Sequence, residues 1–302
     1  MKVLVLGATG MLGHRLLFGL DELGYEVLAG VRRDLSKHLP YSRLPVLNEQ
    51  RRVVSGIDGF DTKEMKKRLL EVKPDVVLNC IGVIKQRVEG DASIPCIALN
   101  ALLPHVLEEI VSTWNGWLIH FSTDCVFTGK SGQYSENDAS DATDLYGRTK
   151  AMGEVVGPHA LTLRTSIIGP ELSSHLSLVD WFRSQDGRVV RGYARAIYSG
   201  VTTREMVRVI DLLLREHHSL RGLYHLASNP ISKYDLLCMI KDAVGLSMVI
   251  KRDEVSGVID RSLRAERISM DAGYIPPSWP EMIAGLADDL VTYPELYTLH
   301  AQ

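Results

Sequence analysis

Short runs of Val, Leu and Ile, each followed by a longer amphipathic stretch, recur through the first half of this chain. That alternation constrains the fold more than any other feature. Runs at 3–6, 26–31, 52–56, 75–80, 117–122 and 161–164 read as strands, and stretches at 11–23, 61–71, 98–113 and 146–156 as helices, with Asp61 as an N-cap. A strand that is apolar along its whole length has no face to give to water, so both faces must be covered. Strands separated by helical crossovers pair in parallel, and the closure that covers both faces is a doubly wound parallel α/β sheet. After about residue 169 the alternation weakens. A helix at 203–216 and a strand at 223–226 resume it, followed by a helix at 233–244, an apolar run at 248–251 and a tail containing Pro276, Pro277 and Pro280.

Composition narrows the function classes. A chain of 302 residues, 45% apolar and 24% charged, can bury a large core in one or two domains. Its 34 Lys and Arg against 37 Asp and Glu leave a formal charge of −3, without the basic excess that a nucleic-acid or membrane partner requires. The four cysteines form no C-x-x-C pair, and no Cys/His cluster has zinc-ligand spacing, so no metal is expected. Cys80 and Cys125 read as small buried hydrophobes. The apolar start is too short for a signal peptide, and no membrane span is evident, so a cytoplasmic location is expected.

The first strand runs directly into Gly7-Ala8-Thr9-Gly10-Met11-Leu12-Gly13, which opens the first helix. Glycines at that spacing let the backbone turn tightly against a pyrophosphate, whose charge then sits on the helix N-terminus. A Rossmann-type dinucleotide site over Gly7, Thr9, Gly10, Met11, Leu12 and Gly13 is the reading. Where an NAD site places an acid, the second strand ends in Arg32-Arg33, a pair suited to a 2′-phosphate, which points to NADPH. NADH remains compatible if both arginines are solvated and Asp34 meets the ribose. Asp58 is an adenine contact or a turn cap; Cys80, Gly82, Asn100, Ser122 and Ser166 complete the expected cofactor set.

Tyr146-Gly147-Arg148-Thr149-Lys150 puts a phenol and an ammonium one helical turn apart on one face. The cation is expected to lower the tyrosine pKa from about 10 toward working pH, where a proton donor is most effective. Ser122-Thr123-Asp124 ends the fifth strand at the edge where such sheets bind ligands, and its hydroxyls can hold a carbonyl oxygen or simply cap a turn.

The glycine loop, the segment Ser122-Thr123-Asp124-Cys125-Val126-Phe127-Thr128-Gly129, Tyr146 to Lys150 with Gly153-Glu154, and Leu163-Arg164-Thr165-Ser166 resemble the extended short-chain dehydrogenase/reductases. Within these the chain is most similar to the dTDP-4-dehydrorhamnose reductase family, and the likeness extends to the tail around Trp279. It implies NADPH-dependent reduction at C4 of a nucleotide-linked 4-keto-6-deoxyhexose, for cell-surface polysaccharide synthesis. Carried over by position, Thr123 holds the keto group, Tyr146 gives the proton, and Lys150 holds the nicotinamide ribose. Cys125 stands where that family commonly has Tyr, and the segment from Ile259 to Arg264 only loosely matches its Arg-Pro motif. A dinucleotide-binding domain over 1–168, rejoined by 203–227, and an interleaved substrate lobe within 169–302 are expected. A homodimer is compatible with this reading.

For the sugar nucleotide, Arg183, Arg188, Arg191, Arg195 and Arg204 cluster at the start of the second lobe, with Arg191 and Arg204 the chosen phosphate partners. Lys85 (in Lys85-Gln86-Arg87), Thr123, Asp124, Cys125 and Trp181 complete the substrate set, although a solvated basic face and a core aromatic pair are the bland alternatives. His105 and His120 read as structural. The rivals are an epimerase or dehydratase that retains NAD, and a non-catalytic NADP-binding regulatory subunit. Cys125 in place of a glutamate argues against dehydration.

Overall fold

The computed structural model describes residues 1–33, 41–85, 93–173 and 175–299; Asp34, Gln86 and Arg87 lie outside the described residues. Its strands are β1 (Lys2–Leu6), β2 (Glu26–Val31), β3 (Val53–Ser55), β4 (Val76–Asn79), β5 (Trp117–Thr123), β6 (Ala160–Thr165), β7 (Ile167–Ile168), β8 (Val189–Tyr193), β9 (Ala196–Tyr198), β10 (Val201–Thr202), β11 (Gly222–His225), β12 (Ile231–Ser232), β13 (Val249–Asp253) and β14 (Ile259–Asp260). The helices are α1 (Met11–Glu22), α2 (Pro45–Asn48), α3 (Thr62–Val72), α4 (Ser93–Pro95), α5 (Leu103–Ser112), α6 (Leu145–Met152), α7 (Leu178–Arg183), α8 (Thr203–Glu216), α9 (Lys233–Val244), α10 (Glu266–Ala272) and α11 (Trp279–Thr292).

Seven strands form one parallel sheet in the order β11-β6-β5-β4-β1-β2-β3. Its two faces bury separate cores, as the alternation along β1 makes plain. Val3 and Val5 pack with α1, α8, α9 and α11, whereas Leu4 and Leu6 pack with α3 and α5. β5 is buried at all seven positions, so both of its faces are spent on packing. Strand order reverses between β1 and β4, and the loops leaving their carboxyl ends diverge there, which opens the crevice where open α/β sheets bind ligands.

The strand at 26–31 and the helices at 203–216 and 233–244 occur at the bounds read from the sequence. Asp61 caps α3 through the Glu64 amide at 3.0 Å. Three differences matter. The helix read at 98–113 begins at Ser93 and passes through a π-helical stretch, Cys96–Leu102, before α5. The continuous run Ser93–Ser112 is therefore long and apolar enough to cross a membrane by length and composition, yet 44% of its 18-residue apolar stretch is buried in the fold. Second, α6 ends at Met152 with Gly153 as its C-cap, where a side chain would run into the Asn100 carbonyl. Third, the proline-rich tail holds α11, which starts with Ser278 and Glu281 capping each other's amides and places Pro280 in the first turn, where no N–H is needed.

α1 is held by residues far along the chain. Tyr297, buried after α11, donates its hydroxyl to His14 Nε2 at 3.0 Å, and His14 Nδ1 donates to the Gly10 carbonyl at 2.8 Å. Burial lowers the His14 pKa to about 4, which keeps the ring neutral for this relay. Next to it, Arg15 and Asp289 form a buried pair at 2.9 Å.

Candidate active site

The glycine loop joins β1 to α1 at the reversal of strand order. Gly7 adopts φ +71, and a Cβ on Gly13 would stand 2.1 Å from the Gly7 carbonyl oxygen, so helix and loop touch backbone to backbone. No side chain caps α1: Gly10 is its N-cap and leaves the first helical amides free to meet an anion. Beside the loop opens a cleft of about 490 Å³ lined by Thr9, Val31, Arg32, Arg33, Tyr41 and Asp58. Both arginines are exposed, and neither meets a carboxylate among the described residues. This cradle fits the adenosine half of NADP, with the arginines free for a 2′-phosphate. Tyr41, a ring suited to an adenine face, was not read from the sequence, because it lies on a loop remote from the glycine motif.

At the carboxyl end of β5 the chain turns through Thr123, Asp124 and Cys125. Thr123 Oγ1 accepts from the Cys125 amide at 3.1 Å and donates to Asp124 at 3.2 Å, and it acts on the Tyr146 phenol beside it. α6 starts beside this turn, capped by Asp144, which accepts from the Gly147 amide at 2.8 Å. A Cβ on Gly147 would meet the Cys125 carbonyl at 2.2 Å; glycine after Tyr146 therefore lets the helix press against the end of β5. Lys150 is buried one turn on, donating from Nζ to the Phe121 carbonyl at 2.6 Å. Thr123, Tyr146 and Lys150 thus gather at one point on the sheet edge.

One electrostatic expectation is overturned. Burial raises the Tyr146 pKa well above its ordinary value, Cys125 adds to the rise, and Thr123 opposes it. Lys150 is not among the groups that shift it most, and its own pKa falls to about 8 through burial. The phenol is therefore held protonated at neutral pH. Burial also pushes the Cys125 thiol up to about 12, with Asp124 reinforcing the shift.

Other residues of the expected set act through neighbours. The Ser122 hydroxyl points away from the cleft to Glu154 at 2.7 Å, and Glu154 is locked to Arg164 by a buried two-pronged pair. The Asn100 amide is spent on both the N–H and C=O of Val83, which clamps the loop after β4. Both side chains are hydrogen-bonded within the fold. Cys80 lies against Gly7, Gly82 is exposed on the same loop, and Ser166 follows β6 at the same edge. His120, buried against Asn79, is a packed core histidine; exposed His105 bonds the Met152 carbonyl.

On the substrate side the structure redistributes the cations. Arg204 is consumed by α11, bonding the Gly285 carbonyl, Asp288 and Asp289. Exposed Arg191 lies on β8 opposite Lys251, and Trp181 is 42% exposed on α7. Among the described residues, no contact joins any of the three to Thr123 or Tyr146. Lys85 does reach the rim, pairing with Asp144 at 3.2 Å. The missed cation is Arg261, which bonds the Phe127 carbonyl at 2.8 Å and acts electrostatically on both Cys125 and Asp144. Its signal in the sequence was its place in the loosely matched tail motif. Among the described residues no group of three or more His, Cys, Asp or Glu side chains could hold a metal.

A family model described as the RmlD substrate binding domain matches residues 1–290. A dTDP-4-dehydrorhamnose reductase from Aggregatibacter actinomycetemcomitans is 28% identical over 262 residues, covering 83% of this chain and 81% of that protein. Methionine adenosyltransferase 2 subunit beta from Xenopus laevis is 26% identical, covering 81% of this chain and 72% of that protein. In fold, the chain matches a crystal structure of dTDP-4-dehydrorhamnose reductase from Bacillus anthracis str. Ames in complex with NADP, with a TM-score of 0.77 at 18% identity, covering 95% of this chain and 99% of that one.

Proposed function

The chain belongs to the RmlD substrate binding domain family, and on that premise we propose that it is an NADPH-dependent reductase of a nucleotide-linked 4-keto-6-deoxyhexose, of the dTDP-4-dehydrorhamnose reductase type, serving polysaccharide synthesis. The observation that carries this reading is the convergence of Thr123, Tyr146 and Lys150 beside the glycine loop. Reduced nicotinamide, when bound, supplies the hydride to the carbonyl carbon. Thr123 and Tyr146 flank the carbonyl oxygen, and the protonated phenol gives its proton to that oxygen as the alcohol forms. Lys150, fixed on the Phe121 carbonyl, keeps a positive charge at the floor of the site until pH rises through about 8. Arg32 and Arg33 favour NADPH over NADH, and Lys85 and Arg261 supply charge for the diphosphate.

The high pKa of Cys125 weighs against a dehydratase, which needs a base near that position. Likeness to the methionine adenosyltransferase subunit favours a second reading, in which the protein holds the cofactor and acts through a partner. NADPH oxidation against a panel of 4-keto sugar nucleotides separates the two. Tyr146→Phe should lose about 10²-fold or more in turnover while retaining NADPH affinity; an unchanged rate refutes the proton-donor role.

Residues 1–168 with 203–227 are proposed as the cofactor-holding domain, with the rest of 169–302 as an interleaved substrate lobe. A cytoplasmic homodimer is the proposed working form, without nucleic-acid or membrane partners. Exposed Ile97 and Leu102, on the helical run that packs against α6, and Met152 at the end of α6 favour such an association.

A further inference from the structure

The hydroxyl of Tyr198 is buried and meets no hydrogen-bond partner among the described residues. Such a group costs stability unless a ligand or a water completes its hydrogen bonding. Tyr198 ends β9, and its ring is fixed against Trp279, with centroids 5.5 Å apart at 45°. Trp279 is anchored in turn by its indole N–H on the Asn229 carbonyl at 2.7 Å. A Cβ on Gly200 would stand 2.2 Å from the Tyr198 hydroxyl and 2.1 Å from the Ser166 carbonyl oxygen. The hydroxyl therefore lies over Gly200, close to the residue that follows β6 on the carboxyl edge of the sheet. Asp124, next to Thr123, acts electrostatically on the phenols of both Tyr146 and Tyr198.

We propose that Tyr198 is a substrate-contacting residue whose hydroxyl donates to a ring hydroxyl of the hexose while Asp124 accepts from a neighbouring one. The assignment rests on the reductase reading for the class of substrate. A carboxylate beside the phenol repels phosphate oxygens but pairs well with alcohols, which both donate and accept. The contact therefore belongs to the sugar and not to the diphosphate. Glycine at 200 is the residue that leaves room for it.

Tyr198→Phe tests this, because it removes one oxygen and keeps the ring on Trp279. Calorimetric titration of the NADP-loaded protein with dTDP-rhamnose should show about tenfold weaker binding in the variant. Affinity for dTDP alone should be unchanged, and the melting temperature should be equal or higher, since an unpaired buried hydroxyl has been deleted. Unchanged affinity for dTDP-rhamnose overturns the proposal. So does equal weakening of dTDP and dTDP-rhamnose, or a fall in melting temperature without a change in affinity. A wild-type protein that fails to bind dTDP-rhamnose overturns it as well. A wild-type protein that binds dTDP-rhamnose but oxidises no NADPH with any keto sugar sinks the reductase reading instead and leaves the sugar contact to be judged by affinity.

Discussion

Gly13 has no room for a methyl group. A Cβ there would sit 2.1 Å from the Gly7 oxygen and 2.8 Å from its carbonyl carbon, both backbone atoms that cannot rotate away. Gly13→Ala should therefore push α1 off the loop, costing about 1–3 kcal/mol of stability and at least tenfold in NADPH affinity by fluorescence titration; wild-type affinity would contradict the packing argument. Residues of this kind are legible in a sequence because steric need acts through the local backbone. The same is true of Tyr146 and Lys150, whose spacing fixes a shared helical face. The placements of Arg261 and Tyr198 were not legible, since they depend on which loops the fold brings to the sheet edge. The mistaken choice of Arg204 has a matching cause. Its partners Asp288 and Asp289 lie more than eighty positions away, so local sequence showed a free cation where the fold has a paired one.

Among the elements, α6 carries the proposed proton donor and is only eight residues long. A helix that short depends on its ends. Asp144→Ala removes the bond to the Gly147 amide and the partner of Lys85, which should cost about 1 kcal/mol. Tyr146 sits in the first turn, so fraying there should lower kcat severalfold with NADPH affinity nearly intact; parallel losses in both would place the cap's role elsewhere. Periodicity revealed α8 and α9 to the residue because each has a strong apolar stripe and a Thr or Ser N-cap. It missed α11, where prolines mimic a coil signal although one of them merely occupies the first turn. The π-helical stretch at Cys96–Leu102 also left no periodic trace, and it is what aims Asn100 at the loop after β4.

For the whole molecule, the parallel sheet was readable from continuous apolar strands, whereas the small sheets were not: β12-β9-β14 is built from strands of two or three residues, and β13-β8 from five-residue strands that are largely exposed. The fold also buries histidines. Burial lowers the pKa values of His14 and His225 to about 4, against 6.5 for an ordinary histidine. Above about 6.5 neither folded nor unfolded chain binds these protons, and stability is insensitive to them. As pH falls from 6.5 toward 4 the unfolded chain takes them up and the folded one does not, so stability declines by on the order of 1.4 kcal/mol per pH unit for each histidine. Melting temperature should therefore drop clearly between pH 6.5 and 5 while changing little between pH 8 and 7; a flat profile across the lower window would contradict this.

The relay from Tyr297 through His14 to Gly10 has a consequence for the order in which the protein is made. A ribosome releases the glycine loop long before the tyrosine that steadies it, since His14 and Tyr297 lie 283 positions apart. The sheet needs none of these bonds, whereas the His14 contact that backs the loop needs Tyr297 in place. A nascent chain is therefore expected to hold its cofactor poorly until the segment around Tyr297 has emerged and docked.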